Sequence, residues 1–322
     1  MRRRTLLAAP LAVLAGGCSA GGCSARTDPA LRLMVPNAPG SGYDITARTV
    51  ATALDVDHVR SGVEVFNLAG GGGTVGLRRL VYERGNGDLM MLMGLGLVGA
   101  QHTSPVPVTL DAVTPVARLI EEPEVLVVTG DSPLRDLDDL VRAWRADPDG
   151  LAVGGGSAPG GPDHLAAMLI AEAAGVTPRS ARYAEFDGGG VLLAAVLSKR
   201  VAAAVSSLGE FAGQIDSGQL RVLATTGSER SRGVEAPTLR EAGLDVVFAN
   251  WRGLVAPPGL DETQLRALDD TVAGLRASAT WQQAMAGFRW SDAYLPGTDF
   301  GAFLRRQDGR VTQILSELGL DT

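Results

Sequence analysis

Four segments of this 322-residue chain repeat one pattern: a short apolar run, a glycine-rich loop, then apolar residues at helical spacing. The first runs from Leu31–Val35 through Pro36-Asn-Ala-Pro-Gly-Ser-Gly42 to Ala47, Val50, Ala51 and Leu54 on one face. The second joins Val63–Leu68 through Ala69–Gly76 to Leu77, Leu80 and Val81. The third joins Leu151–Val153 through Gly154–Gly161 to a helix that Pro162 suits at its first turn and that continues through Leu165, Leu169 and Ile170. The fourth joins Ala181–Tyr183 through Phe186-Asp-Gly-Gly-Gly190 to Leu192, Leu193, Val196 and Leu197. A buried strand feeding a helix through a tight loop is the unit of an α/β fold. Each such loop can bring bare backbone and a helix N-terminus to an anion.

Bulk properties narrow the function classes. A net charge of −7 and 5% aromatic residues disfavour a nucleic-acid surface. Backbone donors carry no formal charge, so a local anion site stays compatible with an acidic chain. Both cysteines, Cys18 and Cys23, stand near the N-terminus, leaving none for a disulfide framework or cysteine metal site in the body. The three histidines, His58, His102 and His164, have no metal-ligand spacing, so no metal and no cofactor is expected.

The first 30 residues read as a targeting segment. Arg2–Arg4 is a positive region, and Leu6–Leu14 is an apolar stretch too short to span a bilayer. Ala15-Gly-Gly-Cys18 resembles a lipobox, with Cys18 as the lipidated residue; Arg3-Arg-Thr-Leu-Leu7 resembles a twin-arginine export signal. The expectation is a signal peptide over 1–17, a lipidated tether over 18–30, and an exported domain with a lipid anchor as its sole membrane attachment. The alternative is a plain secretory signal.

Three familiar motifs fail on inspection. Gly71, Gly73 and Gly76 satisfy G-x-G-x-x-G, but the next strand, Leu89–Met93, ends in Gly94-Leu-Gly96 without the acid a dinucleotide ribose needs. A nucleophile elbow at Ser157 fails because Pro159 takes the second glycine position. A Ser157–His164–Asp triad has no spacing to support it, and His164 serves equally as a ligand contact or as a cap of the Ser157 loop. Ser41 and Asp44 have the spacing of a capping box, so Asp44 reads as a cap and Asp44–Arg48 as a helix pair. Asp187 reads either as a turn former or as a partner for an amino group. Val246–Val255 is a long β-prone run suited to crossing between domains, with Trp251 and Arg252 as hinge packing or, second to that, a ligand contact. Pro237–Gly243 reads as a short helix, and two terminal helices follow.

Nine segments in register resemble the extracytoplasmic solute receptors of tripartite tricarboxylate transporters, the TctC-like or Bug group. They are Val35–Asp44 with Ala47-Arg48, Ala69–Gly76, Thr114–Leu119, Gly156–Leu165, Phe186–Gly190, Ser207–Phe211, Leu220–Ala224, Pro237–Leu239 and Asn250–Gly253. The resemblance implies a two-lobed periplasmic-binding-protein fold of type II-like form, with a ligand cleft between lobes. It implies lobe 1 over 31–124, lobe 2 over 125–247, and a return crossover with the rest of lobe 1 over 248–322. It implies no catalysis: a monomeric receptor captures a small carboxylate and hands it to integral-membrane permease subunits. Carried onto this chain, the ligand-binding positions are Ala38, Pro39, Gly40, Ser41 and Gly42, then Gly71, Gly72, Gly73 and Thr74. On the other lobe they are Ser157, Ala158, Gly160, Gly161, His164, Asp187, Gly188 and Ser206. No arginine stands in the four loops to mark a second carboxylate. Two other readings remain: an exported esterase or transferase using the Ser157 loop, and a ligand-sensing partner of a signalling receptor.

Overall fold

A computed structural model describes residues 30–103 and 107–319; the expectations on 1–29, including Cys18, lie outside these residues. The elements in chain order are β1 (Arg32–Val35), α1 (Gly42–Val56), β2 (Glu64–Asn67), α2 (Thr74–Tyr82), β3 (Leu89–Gly94), α3 (Leu95–Thr103), β4 (Thr114–Thr129), α4 (Leu137–Ala146), β5 (Val153–Gly155) and α5 (Pro162–Ala173). They continue with β6 (Tyr183–Glu185), α6 (Gly189–Leu197), β7 (Ala203–Ser207), α7 (Leu208–Asp216), β8 (Leu220–Thr225), β9 (Ala249–Ala256), α8 (Glu262–Ala277), α9 (Ala279–Phe288), β10 (Ser291–Pro296) and α10 (Gly297–Glu317).

The strands form two sheets that share β4. In the first sheet β1 lies parallel between β2 and β3, while β9 runs antiparallel to both β3 and β4. In the second, β5 lies parallel between β6 and β7, and β4 runs antiparallel to β7 and β8. The 16 residues of β4 pair with β9 from Thr114 to Pro123 and with β7 from Glu124 to Val127. One continuous strand therefore spans both lobes.

The parallel strands are buried because helices cover them: all six residues of β3 are buried, as an apolar run Leu-Met-Met-Leu-Met requires. α1 turns Tyr43, Ala47, Val50 and Leu54 into the core of the first lobe. Each such side chain removed from water contributes about 1.5–3 kcal/mol. Trp144 of α4 and Phe211 of α7 do the same in the second lobe.

Several elements differ from the sequence reading. Pro237–Gly243 is a chain of turns, held by Thr238 and Glu241 side chains, and not a helix. The end of the chain holds three helices and a strand, because Ser278 caps α9 directly after α8 ends. α3 follows β3 without a break: Gly94 ends the strand and Leu95-Gly96 already begin the helix, where the sequence reads only a strand end.

Candidate functional site

The loops ahead of α1 and α5 are built alike. Each contains Ala-Pro-Gly, at Ala38–Gly40 and Ala158–Gly160. Each glycine takes a left-handed conformation, φ +80 at Gly40 and +82 at Gly160, which a Cβ would strain. The turn closes with Ser41 N–H donating to Ala38 O (3.2 Å) in one and Gly161 N–H donating to Ala158 O (2.8 Å) in the other. The glycine N–H then donates four residues ahead, into the first helical turn. Gly40 N–H reaches Asp44 Oδ2 (2.8 Å), and Gly160 N–H reaches His164 Nδ1 (3.1 Å).

Asp44 thus acts as a loop cap. Its Oδ2 also accepts from Arg48 Nε (2.9 Å) and its Oδ1 from Asn67 Nδ2 (2.9 Å), while Ser41 Oγ accepts from Asp44 N–H. Burial opposes its ionisation, but these donors together hold its carboxyl below the usual range. In the second loop Ser157 Oγ accepts from the N–H groups of Asp163 (3.1 Å) and His164 (3.4 Å), and Tyr183 Oη donates to Ser157 O (2.7 Å). Burial pushes His164 down to about 4, so the ring is neutral, with its Nδ1 lone pair committed to Gly160.

A cavity of about 490 Å³ opens between the lobes. The first lobe supplies Pro36, Asn37, Tyr43, Ala69–Gly73 and Gly96; the second supplies Gly156, Ser157, Ala158, Gly161 and Glu185–Asp187. The lobes meet around it. A Cβ at Gly99 would come within 1.8 Å of Gly160 O, and one at Gly188 within 3.4 Å of Ser41 Cβ. Thr103 Oγ1 donates across to Pro159 O (3.1 Å).

Below Tyr43 the cavity continues into a pocket of about 50 Å³ lined by Ser41, Gly42, Asp163, Gly188, Ser207, Glu210, Asn250 and Arg252, among others. This floor is charged and buried. Arg252 Nη1 lies 2.6 Å from Glu122 Oε1, and the guanidinium also donates to Thr46 Oγ1 and Ser207 Oγ (3.3 Å each). Burial opposes the charge on Arg252, but Glu122, Glu210 and Glu124 outweigh it and raise its pKa. One guanidinium faces several carboxyls, so some of these hold protons. Burial, and then the charges of Asp163, Glu122 and Glu210, lift Glu124 well above the carboxylate range. Burial and the Glu210 carboxylate opposite push Asp163 up to about 8.

Of the residues expected from the sequence, Gly71, Gly72, Gly73, Ser157, Ala158, Gly161 and Asp187 line the cavity, and Ser41, Gly42 and Gly188 line its floor. Ala38, Pro39, Gly40, Thr74, Gly160, His164 and Ser206 stand off both walls. Thr74 Oγ1 donates to Gly71 O, and the buried Ser206 Oγ donates to Glu210 Oε2 (3.0 Å). Tyr43, Glu185 and Phe186 were missed, as was the place of Arg252 on the floor. A signal existed for Tyr43: Gly94 and Gly96 leave bare backbone against its ring, and a Cβ on either would lie about 3 Å from its hydroxyl (3.0 and 3.1 Å).

Residues 34–320 match the family described as "Tripartite tricarboxylate transporter family receptor". The chain belongs to this family. Its relatives include Protein BugT of Bordetella pertussis, 31% identical over 246 residues, which are 74% of each chain. A protein of Pseudomonas sp. strain P51, described as a "UPF0065 protein in tcbD-tcbE intergenic region", is 28% identical over 83% of this chain and 80% of its own. Among solved structures, MatC of Rhodopseudomonas palustris with bound malate has a TM-score of 0.80 at 22% identity, covering 89% of this chain and 98% of that one. R. palustris Rpa4515 with adipate has a TM-score of 0.83 at 21% identity, covering 91% and 98%. The periplasmic binding protein BugD has a TM-score of 0.83 at 21% identity, covering 90% and 98%. The two-lobed periplasmic-binding fold expected from the sequence is the fold of this family member. Among its described residues no helix is long and apolar enough to cross a membrane.

Proposed function

We propose that this protein is an extracytoplasmic solute-binding lipoprotein that captures a small carboxylate between its lobes and delivers it to the permease subunits of a tripartite transporter. The observation that carries the reading is one interlobe cavity walled by Pro36, Asn37 and Gly70–Gly73 on one side and by Gly156–Ala158 and Gly161 on the other, at the ends of two matched loops, in a chain of the receptor family. The malate and adipate in two structures of the same fold support a carboxylate as solute. The ligand sites on this chain are the cavity-facing parts of 37–43, 69–73, 156–161 and 185–188. We take the domains as 31–124 with 248–322, and 125–247, in a monomer. Lipid on Cys18, after a signal segment with twin-arginine character, would hold the domain outside the membrane.

The Ser157 loop does not favour an esterase. Ser157 Oγ is engaged by the backbone of α5, and His164 directs Nδ1 to Gly160 and not to that hydroxyl. The test is thermal denaturation of the purified protein against mono-, di- and tricarboxylates, amino acids and phosphates. A ligand at a hundred times its Kd adds about 2.7 kcal/mol of stability. No shift with any carboxylate, together with turnover of an ester panel that Ser157→Ala removes, would sink the receptor reading. For the anchor, Cys18→Ser should release the protein from the membrane fraction.

A further inference from the structure

The charges around the cavity are unevenly placed. Of its lining residues, only Glu185 and Asp187 carry charge, and both are exposed on the second-lobe wall. Neither carboxylate is ion-paired among the described residues. Among the described residues no lysine, arginine or histidine lines the cavity. The guanidinium nearest to it in the site, Arg252, lies in the floor pocket and is neutralised by Glu122 at 2.6 Å. A second ligand carboxylate would therefore meet no counter-charge and two like charges.

The opposite wall has the reverse character. The Tyr43 hydroxyl is buried and lines both cavity and floor; the backbone N–H groups of Leu97 and Gly96 face its oxygen, and among the described residues its own proton has no acceptor. Burial raises its pKa to about 12, so it keeps its proton and needs an acceptor. Beside it stand Asn37 and the backbone of Gly71–Gly73, where the Gly73 N–H is already given to Gly70 O (3.0 Å) and those of Gly71 and Gly72 face the loop. One wall thus offers donors to an oxygen anion, and the facing wall offers anions to a cation.

We infer that the solute is a zwitterion, a carboxylate that also bears a cationic nitrogen, with its carboxylate against Tyr43 and its nitrogen against Asp187 and Glu185. The inference rests on the receptor reading above and deepens it. A molecule with charge at both ends bridges the two lobes, so its binding favours the form in which they are in contact.

The test is titration calorimetry with pairs of compounds that differ by one amino group: glutamate with glutarate, alanine with propionate, and 4-aminobutyrate with butyrate. At least one amino-bearing member should bind tenfold or more tightly than its partner. Asp187→Asn with Glu185→Gln should reduce that preference at least tenfold with unchanged melting temperature, since both side chains are exposed. Tyr43→Phe should weaken both members of a pair alike. A dicarboxylate such as malate or adipate that binds more tightly than every amino-bearing compound would overturn the zwitterion inference and leave the receptor reading standing. An amino preference that survives the double substitution would overturn the assignment to Asp187 and Glu185. Absence of binding by every carboxylate, amino-bearing or not, would remove the receptor reading and this inference with it.

Discussion

The two Ala-Pro-Gly loops reach the same backbone shape by different chemistry. In the first lobe the left-handed glycine is held by an ionised carboxylate, Asp44, which is tied to a half-exposed Arg48 and to Asn67. In the second it is held by a neutral ring, His164, packed edge-on against Tyr183 at 4.9 Å between centroids. The difference follows the surroundings. Gly40 is exposed, and although the Asp44 side chain is itself buried, Arg48, Asn67 and the Gly40 N–H compensate its charge. Around Gly160 the chain is buried against α3, where a bare charge would be costly and a neutral acceptor is not. One geometry has thus been met twice, once with a charged acceptor that its donors compensate and once with a neutral one.

Both loops rest on Arg252, and removing it should have the largest effect. Arg252 donates to Thr46 of α1 and offsets the carboxyls around Asp163. Arg252→Met leaves Glu122 buried without its partner, at a cost of about 3–5 kcal/mol. We expect a fall in Tm on the order of 10 °C. Adding Glu122→Leu should recover much of it, because a buried ion pair replaced by apolar groups is often neutral. A single variant that melts like the wild type would show that the floor is not holding the two loops together.

The staples themselves come next. His164→Ala strands a buried Gly160 N–H and empties the ring's place against Tyr183, costing about 2–4 kcal/mol. Asp44→Ala should cost about 1–2 kcal/mol, since water can reach the exposed Gly40 N–H. Chemical denaturation of the two variants measures the gap. Equal losses would mean that the environments of the loops do not differ as their burial indicates.

The loops were readable in the sequence because glycine, proline and capping residues act locally. Ser41 and Asp44 announced the start of α1, and Gly156–Leu165 the start of α5. The charged floor was not readable. Glu122 and Glu124 on β4, Glu210 on α7 and Arg252 on β9 are brought together by a strand that crosses between lobes. No spacing along the chain encodes that crossing. Arg252 read as hinge packing for that reason, and Pro237–Gly243 read as a helix because side-chain bonds from Thr238 and Glu241 close its turns without one. Sequence reasoning also missed Tyr43, whose neighbours Gly94 and Gly96 come from a distant strand end.

The two glycines offer a finer comparison. An alanine at either pays for the left-handed backbone, about 1–2 kcal/mol. At Gly40 a Cβ meets nothing within 4 Å; at Gly160 it lies 3.0 Å from Gly99 O and from Thr103 Cγ2, across the lobe contact. Gly40→Ala should therefore lose stability alone. Gly160→Ala should lose stability and also weaken solute binding several-fold, because the closed form must part slightly to admit the methyl. Matching affinities for the two variants would show that the contact with α3 plays no part in closure.

The smallest effect expected is on pH dependence, because the second loop carries two slopes that oppose each other. His164 has its folded value lowered from 6.5 to about 4, so its contribution is whole above pH 6.5 and is lost as pH falls from there towards 4. Asp163 has its value raised from 3.8 to about 8, so its contribution is whole below pH 3.8 and is lost as pH rises through 8. Between pH 4.5 and 6.5 the His164 slope offsets that of Asp163, but Glu124 and Glu210, which burial shifts the same way as Asp163, leave a shallow fall in Tm as pH rises. Between 6.5 and 8 the opposing slope of His164 is gone and those of the carboxyls remain, so the fall in Tm with rising pH should steepen. Asp163→Asn should make the decline from 6.5 to 8 shallower and flatten the profile below 6.5, where the His164 slope then has only Glu124 and Glu210 against it. Asp44, held below its ordinary value, takes no part until pH drops under about 3.8, so the same substitution at that position should leave the profile between 4 and 8 unchanged. A wild-type Tm that rises between pH 6.5 and 8, or an Asp163→Asn profile that overlays it, would mean that Asp163 is ionised in the folded protein and that Arg252 balances the floor by itself.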